Sequence, residues 1–368
     1  MNKFLKILVF AAVGGMILTG CCNKQDESKN ECQMMKHQPL TQKWDKVFPK
    51  SDKVEHSKVV FHNRYGIELV ADMYLPKGME GKLPAIAVCG PFGAVKEQVS
   101  GLYAQHMAER GFVTLAFDPS YTGESGGEPR RTASPDINTE DILAAVDYFT
   151  TLDCVDTGHI GVIGICGFGG MAVNAAVLDP RIKATVTVSM YDISRSYTNG
   201  YQDAHNNAEY RNIDRRAFAD MRTQIASTGD YGRRGGIPKP EQLSDDTPQF
   251  YKDYADYYST PRGYHSRSGA STDGWNLIGT QSFLNQPLLC YADEIESPVL
   301  LIHGEKAHSL YLSETTFEKM TGRKCDGKSM TVGNKEIMII PGAVHIDFYD
   351  DRAGVIPYDK IEQFLRGN

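Results

Sequence analysis

Gly161-Val-Ile-Gly-Ile-Cys166-Gly-Phe-Gly-Gly170 is the stretch on which the reading of this 368-residue chain turns. An apolar, strand-like run (160–165) leads into Cys166, and a run of small residues with helical character (171–178) leads out. That is the layout of a sharp strand-to-helix turn that lifts one side chain above a parallel sheet. Such a turn strains the backbone of the lifted residue and leaves its neighbours room for almost no side chain, which accounts for the glycines. Ser is the common occupant. Cys166 puts a thiol there instead, so thiol chemistry enters together with the fold. The common spacing would also place Gly at position 168. This chain has Phe168, followed by Gly169 and Gly170.

The flanking sequence fits that turn. Residues 58–61 and 67–75, separated by His62-Asn-Arg-Tyr-Gly66, read as an antiparallel hairpin. Residues 85–89 read as a short buried strand ending in Gly90-Pro-Phe-Gly93. A helix is expected over about 97–110, stopping at Gly111, then a strand over 112–117. Thr139 is expected to open a helix to about 150, with Glu140 and Asp141 in the first turn, where the helix dipole favours acids. Further buried strands are expected at 184–188, 299–303 and 337–340, and an amphipathic helix at 358–366. Strand and helix alternate from Ala85 onward, which predicts a mostly parallel sheet covered on both faces. Between 189 and 297 the alternation stops, and Tyr, Arg, Asp and Gly become frequent. Helical pieces are expected near 215–226 and 248–258, the second with Thr247 as N-cap and Pro248 as its first residue. This stretch reads as a cap inserted between two core segments, 58–188 and 298–368.

Residues 1–20 read as a targeting segment. Lys3 and Lys6 form a basic start, and residues 7–18 are an apolar run too short for a comfortable membrane span. Leu18-Thr-Gly-Cys21 resembles a bacterial lipobox, which implies cleavage before Cys21 and lipid on its sulfur. Several acyl chains anchor durably where one does not. Residues 21–57 read as a polar tether. The expected location is the bacterial cell envelope, with the membrane as a partner through Cys21. Net charge is −7 and no basic tract interleaves with aromatics, so no nucleic-acid partner is expected. The eight cysteines have irregular spacing, with neither a CxxC pair nor a His/Cys cluster of metal-ligand spacing, so neither metal nor cofactor is expected. A thiol nucleophile in an oxidising compartment would need shielding by the cap.

The order of strand, elbow, cap-sized insertion, strand with His-Gly, and last strand followed by His resembles the α/β-hydrolase fold. Cys at the elbow is similar to the dienelactone hydrolase group. The runs Gly93-Ala-Val-Lys-Glu-Gln98, 117–130, Gly304-Glu-Lys-Ala-His-Ser309 and Gly342-Ala-Val-His-Ile-Asp347 resemble dienelactone-hydrolase-like bacterial proteins related to the acyl-peptidase superfamily. The resemblance implies Cys166 as nucleophile, its pKa lowered by the helix N-terminus behind it, and His345 as general base. It also implies an acid after the strand 299–303. The usual position is Ala307, so Glu305 is the nearest carboxylate and Asp192 the alternative, with Asp347 read as structural. Backbone N–H groups of Gly167 and of Phe92 or Gly93 would hold the oxyanion, since Pro91 has none to give. Dienelactone hydrolase is similar in having a glutamate near its thiol, and Glu97 follows the oxyanion loop. Ser125, in a Gly-rich run, mimics a serine-hydrolase motif but lacks a following helix. The expected activity is hydrolysis of a small-molecule or glycan-linked ester, lactone or thioester. The alternatives are acyl transfer on the same site, and a non-catalytic ligand-binding lipoprotein.

Overall fold

The computed structural model describes residues 40–78 and 80–368. Its strands are β1 (Val54–His62), β2 (Glu68–Pro76), β3 (Leu83–Cys89), β4 (Val113–Phe117), β5 (Val155–Ile165), β6 (Ile182–Val188), β7 (Val299–Gly304), β8 (Met330–Val332) and β9 (Lys335–Ile340). The helices are α1 (Val99–Glu109), α2 (Pro135–Thr150), α3 (Gly167–Leu178), α4 (Ile193–Asn199), α5 (Ala208–Thr228), α6 (Gln249–Tyr258), α7 (Gly269–Thr272), α8 (Leu310–Thr321) and α9 (Tyr358–Arg366).

One sheet runs in the order β1-β2-β4-β3-β5-β6-β7-β9-β8. It is parallel from β4 through β9, with antiparallel pairings at both ends. The central strands are apolar on both faces because both are covered. Ala85, Ile86, Ala87 and Val88 on β3, and Val299 through Ile302 on β7, are all buried. One face packs against α2, α3 and α8, the other against α1 and α9. This is the α/β-hydrolase arrangement that the elbow and strand order led us to expect.

Three local differences have physical causes. Helix α2 starts at Pro135, four residues before Thr139, because Pro suits the first helical position. Strand β8 is a three-residue edge strand, too short to leave a pattern in the sequence. The expected tether 21–57 ends earlier than read. Its first part and the expectations for residues 1–20 and Cys21 lie outside the described residues. From Trp44 the chain instead packs on the core, with Phe48 buried against Gly101 of α1.

That strap also brings Lys46 into a buried ionic cluster behind the loop after β3. Lys96 is fully buried and its Nζ meets Asp118 at 2.7 Å, Glu97 at 2.8 Å and Glu124 at 2.5 Å. Lys46 reaches Asp72 of β2 at 2.7 Å, and Arg267 of the cap reaches Glu97 at 2.7 Å. Burial opposes the charge on Lys96, yet Asp118, Glu97, Asp72 and Glu124 hold its pKa above the ordinary lysine value. Gly123 is required here, because a side chain on it would run into the Asp118 carboxylate. Removing one partner from a buried set leaves an uncompensated charge. Lys96→Met is therefore expected to cost about 3–5 kcal/mol in urea unfolding. A loss below about 1 kcal/mol would show that the cluster tolerates an unpaired carboxylate.

Candidate active site

Strand β5 ends at Cys166, and α3 begins at the next residue. Cys166 has φ 54° and ψ −123°, a left-handed conformation that a side chain adopts only under constraint. The constraint is close packing at the surrounding glycines. A Cβ on Gly164 would lie 2.5 Å from the Phe168 carbonyl oxygen, and one on Gly167 would lie 2.6 Å from Phe92 Cβ. At Gly169 and Gly170 it would meet Met190 Cβ at 2.4 Å and the Tyr191 carbonyl oxygen at 2.5 Å. This explains the departure from the common spacing. Phe168 turns into the core, and the close approach of the helix to the segment after β6 falls on the next two glycines.

The Cys166 thiol is nearly enclosed, with 8% of the residue exposed. The backbone N–H groups of Phe92 and Gly167 and the Tyr349 hydroxyl lie beside its sulfur, where each favours the thiolate. The expected donors Gly167 and Phe92 thus both lie at Cys166. Gly93 does not join them. Its φ of +89° turns it toward Ala270 and Ser271 of the cap, and a Cβ there would press on both.

His345 opens a short turn after β9. Its Nε2 lies 3.0 Å from the Tyr349 hydroxyl, and its Nδ1 lies 2.6 Å from Ser309 Oγ. Ser309 Oγ is also 2.9 Å from Nε2 of His303, whose Nδ1 is 2.6 Å from Ser313 Oγ. A single proton arrangement satisfies the chain and leaves a base at the thiol. His345 donates from Nδ1 to Ser309, Ser309 donates to His303, and His303 donates to Ser313. Nε2 then carries the lone pair that faces Tyr349.

Neither expected acid is in this chain. Glu305 is exposed, and its carboxylate accepts the Gly342 N–H at 2.7 Å, fixing the turn before His345 from outside. Asp192 caps α4 by accepting the Arg195 N–H at 3.0 Å. Among the described residues His345 has no hydrogen bond or ion pair to a carboxylate, and Ala307, at the usual acid position, is buried. Glu97 is not a partner of the thiol either. It is held by Lys96 and Arg267 in the buried cluster. Asp347 accepts the Val344 N–H at 2.8 Å, and Ser125 Oγ donates to the Asp118 carbonyl, so both are structural.

Ser309, His303, Ser313 and Tyr349 were not singled out from the sequence. Ser309 closes one of the family-like runs and Tyr349 lies four residues after His345. A hydroxyl in an acid's place leaves no separate mark in the sequence.

Aromatic rings roof the pair. Tyr191, Tyr254, Tyr349 and His308 lie with ring centroids 5.2–5.5 Å from His345, and Tyr254 comes from α6 of the cap. His308 Nε2 meets the Tyr191 hydroxyl at 2.5 Å and stacks on Phe250 of α6. This burial sets the protonation states. It raises the Cys166 pKa despite the three donors that favour the thiolate, so the lowering expected from the helix N-terminus is outweighed. It takes His345 well below the ordinary imidazole value, with His308 and His303 adding to the effect. Thiol and imidazole both rest neutral.

Fold and site together define an α/β hydrolase, in which the Cys166 elbow, the N–H groups of Phe92 and Gly167, and His345 come together. The model of the X-Pro dipeptidyl-peptidase (S15) family matches residues 65–342, and the chain belongs to that family. Its peptidases are of the serine class, whereas the elbow here carries Cys166. The chain is 53% identical over 328 residues to the uncharacterized protein PA2218 of Pseudomonas aeruginosa, covering 89% of this chain and 84% of the relative. The crystal structure of PA2218 matches with a TM-score of 0.82 over 89% of this chain and 98% of that one. The α/β hydrolase GrgF of Penicillium has the same fold, with a TM-score of 0.65 at 19% identity over 85% of this chain and 98% of that one. A shorter match, 33% identical over 133 residues, is to the thiohydrolase aneE of Aspergillus aculeatus, spanning 36% of this chain and 41% of the relative.

The buried histidines predict a pH-dependent stability. His303 and His308 are lowered to about 3 and about 4, chiefly by burial, while an unfolded histidine titrates near ~6.5. Below that value the unfolded chain binds protons that the fold refuses, so stability falls as pH falls. Each such histidine contributes up to about 1.4 kcal/mol per pH unit. Asp141, raised to about 6 by burial, works in the opposite sense below that pH. His308→Gln removes one histidine's share. Its stability, from urea midpoints between about pH 6 and 4.5, should fall less steeply than wild type, by up to about 1.4 kcal/mol per pH unit. Equal slopes would place a protonated His308 in the folded protein.

Proposed function

We propose that this protein is a thiol-dependent hydrolase of activated acyl bonds (thioesters, esters or lactones) acting through an acyl-enzyme on Cys166. The observation that carries this reading is the placing of the Cys166 sulfur at a strained strand-to-helix turn, beside two backbone N–H groups and a tyrosine hydroxyl that meets His345. The cysteine elbow, which resembles that of dienelactone hydrolases, supports it, as does the partial likeness to a thiohydrolase.

In this reading the substrate carbonyl displaces the sulfur from the N–H groups of Phe92 and Gly167. The thiol proton passes to Nε2 of His345, with the Tyr349 hydroxyl bridging the two. The sulfur attacks the carbonyl carbon, and the two N–H groups hold the developing oxyanion. Imidazolium then gives its proton to the departing thiolate or alkoxide. In the second half His345 takes a proton from water, hydroxide attacks the acyl carbon, and Cys166 leaves as thiol. Without a carboxylate the imidazolium is weakly stabilised, which favours good leaving groups over amide nitrogen.

Cys166→Ala should reduce turnover of p-nitrophenyl esters and acyl thioesters by about a thousandfold or more. Equal turnover would remove the nucleophile. The acid limb of kcat/KM should lie well below the ordinary imidazole value, because His345 is hard to protonate. A carboxylate beside Nδ1 stabilises the charged ring, so Ser309→Asp should move that limb upward. A limb unmoved by Ser309→Asp would exclude His345 as the titrating base.

We further propose that lipidation of Cys21 anchors the protein in the bacterial envelope, supported by the lipobox-like run and the short apolar stretch before it. Cys21→Ala should release the protein from membranes in fractionated cells. Retention equal to wild type would refute the anchor.

A further inference from the structure

Between the cap and the Gly-rich loop lies a cavity of about 250 Å³ whose wall includes Tyr121, Arg130, Arg131, Arg233, Arg267 and Ala270. Four arginines line one small space, and no carboxylate residue does. Two of them are compensated from outside. Arg267 pairs with Asp45 and Glu97 at 2.7 Å each, and Arg131 pairs with Asp273 at 3.0 Å. The other two are not. Arg130 donates to the carbonyls of Ser125 at 2.5 Å and Gly123 at 2.9 Å. Arg233 donates to its neighbour's carbonyl, Gly232, at 2.5 Å. Among the described residues neither forms an ion pair. Like charges converging on a cleft focus a positive potential there, and the planar guanidinium fork suits phosphate and carboxylate oxygens. The wall is also held under backbone strain, with φ of 69° at Tyr121 and 61° at Arg131.

The cavity borders the reaction centre through Ala270. A Cβ on Gly93 would lie 3.2 Å from the Ala270 carbonyl carbon, and Gly93 follows the oxyanion donor Phe92. Ala270 also lines a second cavity of about 250 Å³, walled by Phe92, Tyr197 and Trp275. There the Phe92 and Trp275 rings lie 4.3 Å apart. The oxyanion loop, an aromatic cavity and a cationic cavity therefore meet at one small residue.

We propose that the arginine-lined cavity binds an oxyanion group, phosphate or carboxylate, carried by the substrate of Cys166. The substrate would place its carbonyl at the sulfur, an apolar body against Phe92 and Trp275, and its charged end among the arginines. The word substrate rests on the hydrolase reading; the anion site does not.

Calorimetric titration of the full chain with inorganic phosphate, and separately with succinate, measures the site without turnover. One of the two anions is expected to bind with unit stoichiometry, and which one identifies the group recognised. Arg233→Met should weaken binding about tenfold or more, the scale of a lost charge-assisted hydrogen bond. Arg233 is exposed and holds only an adjacent carbonyl, so the variant should fold. Arg131→Met, checked by thermal melting, is the second variant. The bound anion should also raise KM, without lowering kcat, for a thioester whose acyl chain ends in a carboxylate. The proposal is overturned if neither anion binds, if both variants bind as wild type does, or if inhibition is not competitive. Full activity in Cys166→Ala would instead sink the hydrolase mechanism and leave the calorimetry to judge the anion site.

Discussion

The buried charge of Lys96 is the constraint from which the geometry of this protein follows. An ammonium group in a dry interior must be met by carboxylates, and three meet it within 2.8 Å. Those carboxylates come from the loop after β3, the end of β4 and the Gly-rich loop. Glu97 also takes Arg267 from the cap, and the cluster extends through Lys46 to the N-terminal strap. The pieces cannot shift independently without stranding a charge. The loop that carries Phe92 is thereby fixed against both the sheet and the cap, and its N–H faces the sulfur of Cys166.

The site itself departs from the usual arrangement of base and acid. The chain from His345 through Ser309 to His303 orients the imidazole as a carboxylate would, because each link has one proton to give and one lone pair to take it. It does not supply negative charge. Orientation and charge stabilisation, which one aspartate normally provides together, are separated here. The aromatic roof widens the separation by burying the ring, so an imidazolium formed in the proposed mechanism would be supported mainly by the transition state's own developing charge.

The fold was legible in the sequence because its marks are local. The elbow needs glycine where backbones touch, the buried strands read as apolar runs, and the Gly90–Gly93 turn follows a strand with Pro91 unable to donate. Cys166, His345, Gly167 and Phe92 carry those marks, and the fold brings them together. The acid was misplaced because Glu305 and Asp192 stand at the right sequence positions, and position does not determine which way a carboxylate turns. Glu305 points back to Gly342 and Asp192 to its own helix. The buried cluster was equally hidden, since Lys46, Lys96 and Arg267 are far apart along the chain and each reads as a surface residue.

The burial that leaves the thiol neutral also governs when it can react. Thiolate is the form that oxidants and electrophiles attack, and a buried sulfur held as thiol offers little of it. Its hydrogen bonds add to this protection. In the proposed mechanism the resting sulfur lies beside the two N–H groups that an oxyanion would need, so nucleophile and stabilising pocket would block one another. On that mechanism a substrate reaching those groups would turn the sulfur out, toward its own carbonyl carbon, and bring the proton path through Tyr349 into use in the same movement. Reactivity is then a property of the complex. The strained backbone at Cys166, with φ 54°, holds the sulfur at the turn between β5 and α3, beside those N–H groups.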